Sequence, residues 1–160
     1  MQEKGILTFG GRDMLKRKVY QELLKWKENT GGKALCIIGA RQIGKTTLIR
    51  EFGKNEYEHF AEINFVTDEK AADIFKDKLT AEAIITNLTA YLQKPLEPGK
   101  TLILFDEVQE CPAVRSAIKF LVEDGRFDYI EAGSLLGVRY KEVRSYPVGF
   151  EQILPMYPLD

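Results

Sequence analysis

Apolar positions along this chain alternate between helical spacing and short unbroken runs. Leu15, Val19, Leu23 and Trp26 recur at the spacing of one helix face, which predicts a helix from about Asp13 to Lys27. Ala34 to Ile38 is continuously apolar and reads as a buried strand; helical spacing resumes from Lys45 to Phe52, where Gly53 is expected to end the helix in left-handed geometry. A second strand is predicted over His59 to Phe65. Helical stretches follow at Asp68 to Lys76 and at Thr80 to Gln93, the latter with Ile84, Ile85, Leu88 and Leu92 on one face and Thr80 as N-cap. Pro95, Pro98 and Gly99 then turn the chain into a third strand, Thr101 to Phe105. Pro112 suits a first helical turn, after which Val114, Ala117, Ile118, Leu121 and Val122 form an apolar stripe up to Gly125. Strands at Tyr129 to Ala132 and Gln152 to Tyr157 complete the pattern; Pro155 and the flanking Pro158 place the last at a sheet edge. Strands alternating with helices predict an α/β fold with a doubly wound parallel sheet of five strands.

Two of the predicted strands end in candidate chemistry. After the first comes GARQIGKTT, whose Gly39, Gly44, Lys45 and Thr46 meet the P-loop template between a buried strand and an amphipathic helix. The glycines let the backbone curl so that successive N–H groups face phosphate oxygens, and the helix start adds free donors and a positive dipole end. The candidate nucleotide contacts are Gly39, Arg41, Gln42, Ile43, Gly44, Lys45, Thr46 and Thr47, with Lys45 reaching the β and γ phosphates and Thr46 ligating Mg2+. After the third strand stand Asp106 and Glu107 in TLILFDEVQ, a Walker B pattern with a glutamate attached. In open parallel sheets ligands sit beyond the carboxyl ends of the strands, so these two ends are expected to converge on one site. A loop of merely geometric purpose beside a solvated acid pair is the plainer alternative, and the coincidence of the two motifs argues against it.

Composition narrows the classes further. At 160 residues, 44% hydrophobic and 29% charged, the chain suits one globular domain, and no apolar run approaches the ~20 residues of a bilayer span. Its start, MQEKGILTFGGRD, lacks a secretory apolar core, which favours a cytoplasmic setting and no membrane association. A net charge of −1 does not indicate a nucleic-acid partner; Lys16, Arg17 and Lys18 read as a solvated helix face. Two cysteines are too few and too far apart for a zinc site. Cys36 is read as a core residue, Cys111 as a loop residue near the acid pair without a role, and His59 has no catalytic partner pattern.

GARQIGKTT, FDEVQ, DGRFDYIEAGSLL and MYPLD together resemble the AAA-type ATPase domain of a group of prokaryotic ATP-binding proteins, over nearly all of residues 14 to 160. That resemblance implies the AAA+-like sheet order 5-1-4-3-2. It also implies that residues 1–13 are an N-terminal extension and that residues 14–160 are the ATP-binding core of a longer protein, without its lid and C-terminal domain. By position, Glu107 matches the glutamate that orients and deprotonates the attacking water, and Asp106 the acid that holds Mg2+. Ser134 matches the sensor position of the fourth strand, or is simply a small residue ending it. Arg139 and Arg144 lie where such enzymes carry an arginine finger for a neighbouring subunit, each also reading as a solvated side chain, while Arg41 could serve in cis.

The expected function is Mg-dependent ATP binding and hydrolysis, with catalytic Lys45, Glu107 and Ser134, coupled to a conformational change in a protein partner or further domain. The resemblance also allows a homo-oligomer. The alternative is an ATP-binding switch or scaffold with negligible hydrolysis. A P-loop kinase is weaker because no arginine-rich lid follows the fourth strand, and no NKxD guanine-reading motif supports a GTPase.

Overall fold

The computed structural model describes residues 10–28, 32–39, 44–134 and 148–156. In chain order these form α1 (Gly10–Glu28), β1 (Ala34–Gly39), α2 (Lys45–Glu56), β2 (His59–Asn64), a 3₁₀ segment (Glu69–Phe75), α3 (Ala81–Leu92), β3 (Thr101–Asp106), a 3₁₀ turn (Val108–Glu110), α4 (Pro112–Asp124), β4 (Asp128–Ser134), a 3₁₀ turn (Val148–Phe150) and β5 (Glu151–Met156). The strands make one parallel sheet in the order β2-β3-β4-β1-β5, the doubly wound order expected. β5 is an edge strand, which accommodates Pro155.

Period-2 alternation divides the core between two faces. Leu35, Ile37, Leu102, Leu104, Ile130 and Ala132 face α1 and α2, packing with Val19, Leu23, Trp26, Leu48, Ile49 and Phe52. On the other face Ile63, Ile103, Phe105 and Tyr129 pack with Ile84, Leu88, Val114, Ile118 and Leu121 of α3 and α4. In β3 the even positions therefore look toward α2. Asp106 is the next even position after Leu104, which turns the first acid of the pair toward the start of α2.

Local chemistry sets most element ends. The Ala83 N–H donates to Thr80 Oγ1 at 3.2 Å and caps α3 as expected, and Gly125 closes α4 in left-handed geometry with φ 77°. Most predicted ends shift by one to three residues, and two departures have a local cause. Residues 69–75 wind as a 3₁₀ segment rather than an α-helix, started by the Lys70 N–H donating to Asp68 Oδ1. α2 does not stop at Gly53 but continues to Glu56, and extended Tyr57 closes it by donating its N–H to Gly53 O at 3.2 Å. Gly53 serves packing instead: an ideal Cβ built there would stand 2.3 Å from Phe60 Cδ1, so only a residue without a side chain lets α2 lie against β2.

Candidate functional site

β1 and β3 are separated by β4 alone, so their carboxyl ends open on the same edge of the sheet. Beyond β1, Gly44 holds φ 82° and ψ 20°, a left-handed turn that glycine adopts without strain, and α2 begins at the next residue. Its first turn is tied back by the Leu48 N–H donating to Gly44 O at 3.0 Å. Lys45 donates from Nζ to Gly39 O at 3.2 Å. Thr46 donates from Oγ1 to Asp106 Oδ2 at 2.9 Å. That bond joins the loop to the acid pair, as the parity of β3 requires. Gly44, Lys45 and Thr46 are half-buried and Thr47 is exposed.

The acids differ in their surroundings. Asp106 is buried, and burial pushes its carboxyl up from the usual carboxylate range; the negative Glu107 and Glu62 push the same way, opposed by hydrogen bonds from Thr46 and from the Glu107 N–H. Glu107 is half-buried and left-handed, φ 59° and ψ 47°, an uncommon conformation for a residue with a Cβ. Its N–H donates to Asp106 Oδ1 at 2.9 Å, and Gln109 donates from Nε2 to Glu107 Oε1 at 2.8 Å. These two bonds hold the left-handed turn. Gln109 was not singled out from the sequence, although its place two residues beyond the glutamate in DEVQ is the available signal.

Ser134 ends β4 as the Cα partner of Gly39, and Asp106 pairs with Ala132, which sets the backbone of Ser134 beside the end of β1. Its side chain lies outside the description, as do Arg41, Gln42, Ile43, Arg139 and Arg144. Cys111 is buried at the start of α4 among Val108 and Val114. His59 lies at the opposite, amino end of the sheet, 3.2 Å from the Glu97 carboxylate.

The sequence reading also missed a buried ionic cluster. Arg115 of α4 donates from Nη1 to Cys36 Sγ (3.0 Å) and Glu131 Oε1 (3.3 Å), and from Nη2 to Glu151 Oε1 (3.1 Å). Burial, then the hydrogen bond and repulsion with Glu151, hold the Glu131 carboxyl well above its ordinary value. Cys36 Sγ and the two carboxylates stand within 4.8 Å of one another, a spacing that could suit a metal ion, but the guanidinium already sits against all three. Burial pushes the Cys36 thiol up as well, as a core residue requires.

With this geometry in place, comparison with known proteins is direct. The profile of a family described as an AAA domain matches residues 31–160. The chain belongs to the AAA domain family. No curated protein matches it. Among solved structures, a RuvB variant from Thermotoga maritima is 21% identical with a TM-score of 0.53, the match covering 90% of this chain and 45% of that one. The Pif1 helicase from Candida albicans is 12% identical with a TM-score of 0.52, covering 91% of this chain and 40% of that one. This AAA domain therefore spans less than half the length of either, and the likeness is one of fold: a five-stranded parallel sheet flanked by helices, as in AAA+ P-loop NTPases. No described helix is long and apolar enough to cross a membrane.

Proposed function

We propose that this AAA domain binds ATP with Mg2+ and hydrolyses it, coupling nucleotide state to movement of a protein partner, a further domain or a second copy of the chain. The observation that carries the proposal is the 2.9 Å bond from Thr46 to Asp106, which brings the hydroxyl that closes a phosphate loop onto the acid of a different strand. A hydroxyl and a carboxylate at that distance are hard oxygen donors of the kind Mg2+ takes, so the residues present fit the ion. Thr46 and Asp106 would hold it, and the ion when bound neutralises phosphate charge.

The rest is work for the chain's own groups. Backbone donors at Gly44 to Thr46 and the positive end of α2 receive phosphate oxygens. Lys45 exchanges the Gly39 carbonyl for the β and γ phosphates. Glu107, held in its left-handed turn, is proposed to take a proton from water as the water attacks the γ-phosphorus and the bond to ADP breaks. Ser134, beside Gly39 in register, is proposed to orient that water. A switch that binds ATP and barely turns it over is favoured by one observation, that Gln109 already occupies Glu107 Oε1. Turnover measured beside affinity separates the two readings.

The test is titration of ATP, ADP and GTP with Mg2+ while thermal stability is followed, in the parent chain and in Lys45→Ala. A nucleotide at 100 times its Kd stabilises by about 2.7 kcal/mol, roughly 5–10 °C for a chain of this size. Lys45→Ala is expected to lose this rise and to keep the apo melting temperature. A Lys45→Ala chain that binds ATP as well as the parent would overturn the assignment.

A further inference from the structure

The apolar row of α1 continues from Val19 to the half-buried Leu15, and the exposed Lys16 stands beside it. Val19, Leu23 and Trp26 are buried against the sheet and α2, and Lys16 lies three residues before Val19 on the same side of the helix. An ideal Cβ built on Gly44 would stand 3.7 Å from Lys16 Cε. The ammonium is one bond further on. Gly44 thus has Lys45 next to it in the chain and Lys16 against it from another helix.

α1 is fastened well enough to make that placement meaningful. The Tyr20 hydroxyl donates to Glu56 Oε2 at 3.0 Å and accepts from Asn55 Nδ2 at 3.2 Å, both near the end of α2. The Phe52 ring of α2 packs on Tyr20 and Trp26 at centroid distances of 5.6 and 6.5 Å. Trp26 Nε1 donates to Lys33 O at 3.0 Å, fixing the other end of α1 to the start of β1. Hydrogen bonds and ring packing therefore join α1 to α2. Among the described residues Lys16 makes no ion pair with a carboxylate.

We propose that Lys16 is a second phosphate-binding lysine of the nucleotide site, holding the polyphosphate of a nucleoside di- or triphosphate from the side of α1. This rests on the nucleotide-binding reading of the P-loop. A lysine suits the role because its ammonium is a compact point charge on a flexible stem and needs no fixed fork geometry to meet phosphate oxygens. It also extends the binding machinery beyond the motif, to a helix whose other contacts are structural.

The test compares Lys16→Ala, Lys16→Arg and Lys45→Ala for binding of ADP, ATP and inorganic pyrophosphate, with the apo melting temperature as control. Lys16→Ala is expected to weaken ADP, ATP and pyrophosphate alike by roughly tenfold, the size of one charge-assisted contact. Lys16→Arg should restore most of the loss, and the salt dependence of binding should be shallower in Lys16→Ala, with the apo melting temperature unchanged. Wild-type affinities in Lys16→Ala beside lost binding in Lys45→Ala would overturn the role of Lys16 alone. A loss for ADP and ATP with pyrophosphate unaffected would also overturn it, because the contact would then be to base or sugar. Undiminished binding in Lys45→Ala would remove the P-loop reading and this proposal with it.

Discussion

Arg115→Met removes a guanidinium that contacts Glu131 and Glu151 while keeping most of the side-chain volume that packs α4 on the sheet. Glu131 is 0% exposed and Glu151 5%, so neither carboxylate can turn to water once the guanidinium is gone. Breaking one partner out of such a cluster costs about 3–5 kcal/mol, against a total stability of roughly 5–15 kcal/mol for a domain. The melting temperature should fall by roughly 6–20 °C. Replacing all three residues together, Arg115→Met with Glu131→Gln and Glu151→Gln, removes the stranded charge and should recover most of the loss. Urea unfolding of the single and triple variants measures both steps. A pH series adds a sign. The Glu131 carboxyl is raised in the fold, so its contribution is fully present below the unfolded carboxyl range and is lost as pH rises toward the folded value. Glu131→Gln cannot ionise and should therefore gain on the parent chain between pH 4 and pH 8, while the same-signed effect of Asp106 is common to both proteins. A loss below about 1 kcal/mol in Arg115→Met, or no change with pH in the difference between Glu131→Gln and the parent, would refute the cluster as a charge-balanced unit.

Three further outcomes follow from the site and its supports. Glu107→Gln should hold ATP yet hydrolyse it roughly 100-fold or more slowly, since an amide cannot take the water's proton; equal single-turnover rates in variant and parent would favour the switch reading. Asp106→Asn should weaken the Mg2+ dependence of nucleotide binding as well as turnover, and a Mg2+ titration of ADP binding unchanged by the substitution would separate Asp106 from the ion. Gly53→Ala should destabilise by about 1–3 kcal/mol through its clash with the Phe60 ring, although alanine normally favours a helix; a stabilised variant in urea would show that the ring yields freely.

What the sequence conveyed was decided by how local each feature is. The unbroken apolar runs of β1 and β3 and the stripe of α4 report burial residue by residue, and Pro155 reports the edge position of β5, so these features were readable in advance. Each candidate motif is a contiguous string tied to a strand end, and the fold brings Thr46 of one to Asp106 of the other. Boundaries failed where a distant side chain decides them. Gly53 carries the residue type of a helix stop, and only the approach of Phe60 from β2 reveals it as a packing glycine. The 3₁₀ winding after Asp68 likewise depends on contacts beyond the segment, including Tyr91 of α3, whose hydroxyl donates to Asp68.

Long-range polar pairing was the least legible of all, and it bears on how the site works. Arg115, Glu131 and Glu151 belong to three elements, and nothing in their spacing links them. Once folded, they join α4, which starts just after the Glu107 turn, to β4, which ends beside the end of β1, and to edge strand β5. A displacement of α4 against the sheet would have to carry the buried guanidinium past the Glu131 and Glu151 carboxyl groups, which a dry interior opposes. β4 and β5 must therefore move with α4 or the cluster must break. At a cost of several kcal/mol, breaking is the unfavourable course, so the cluster ties edge strand β5 to α4 and β4.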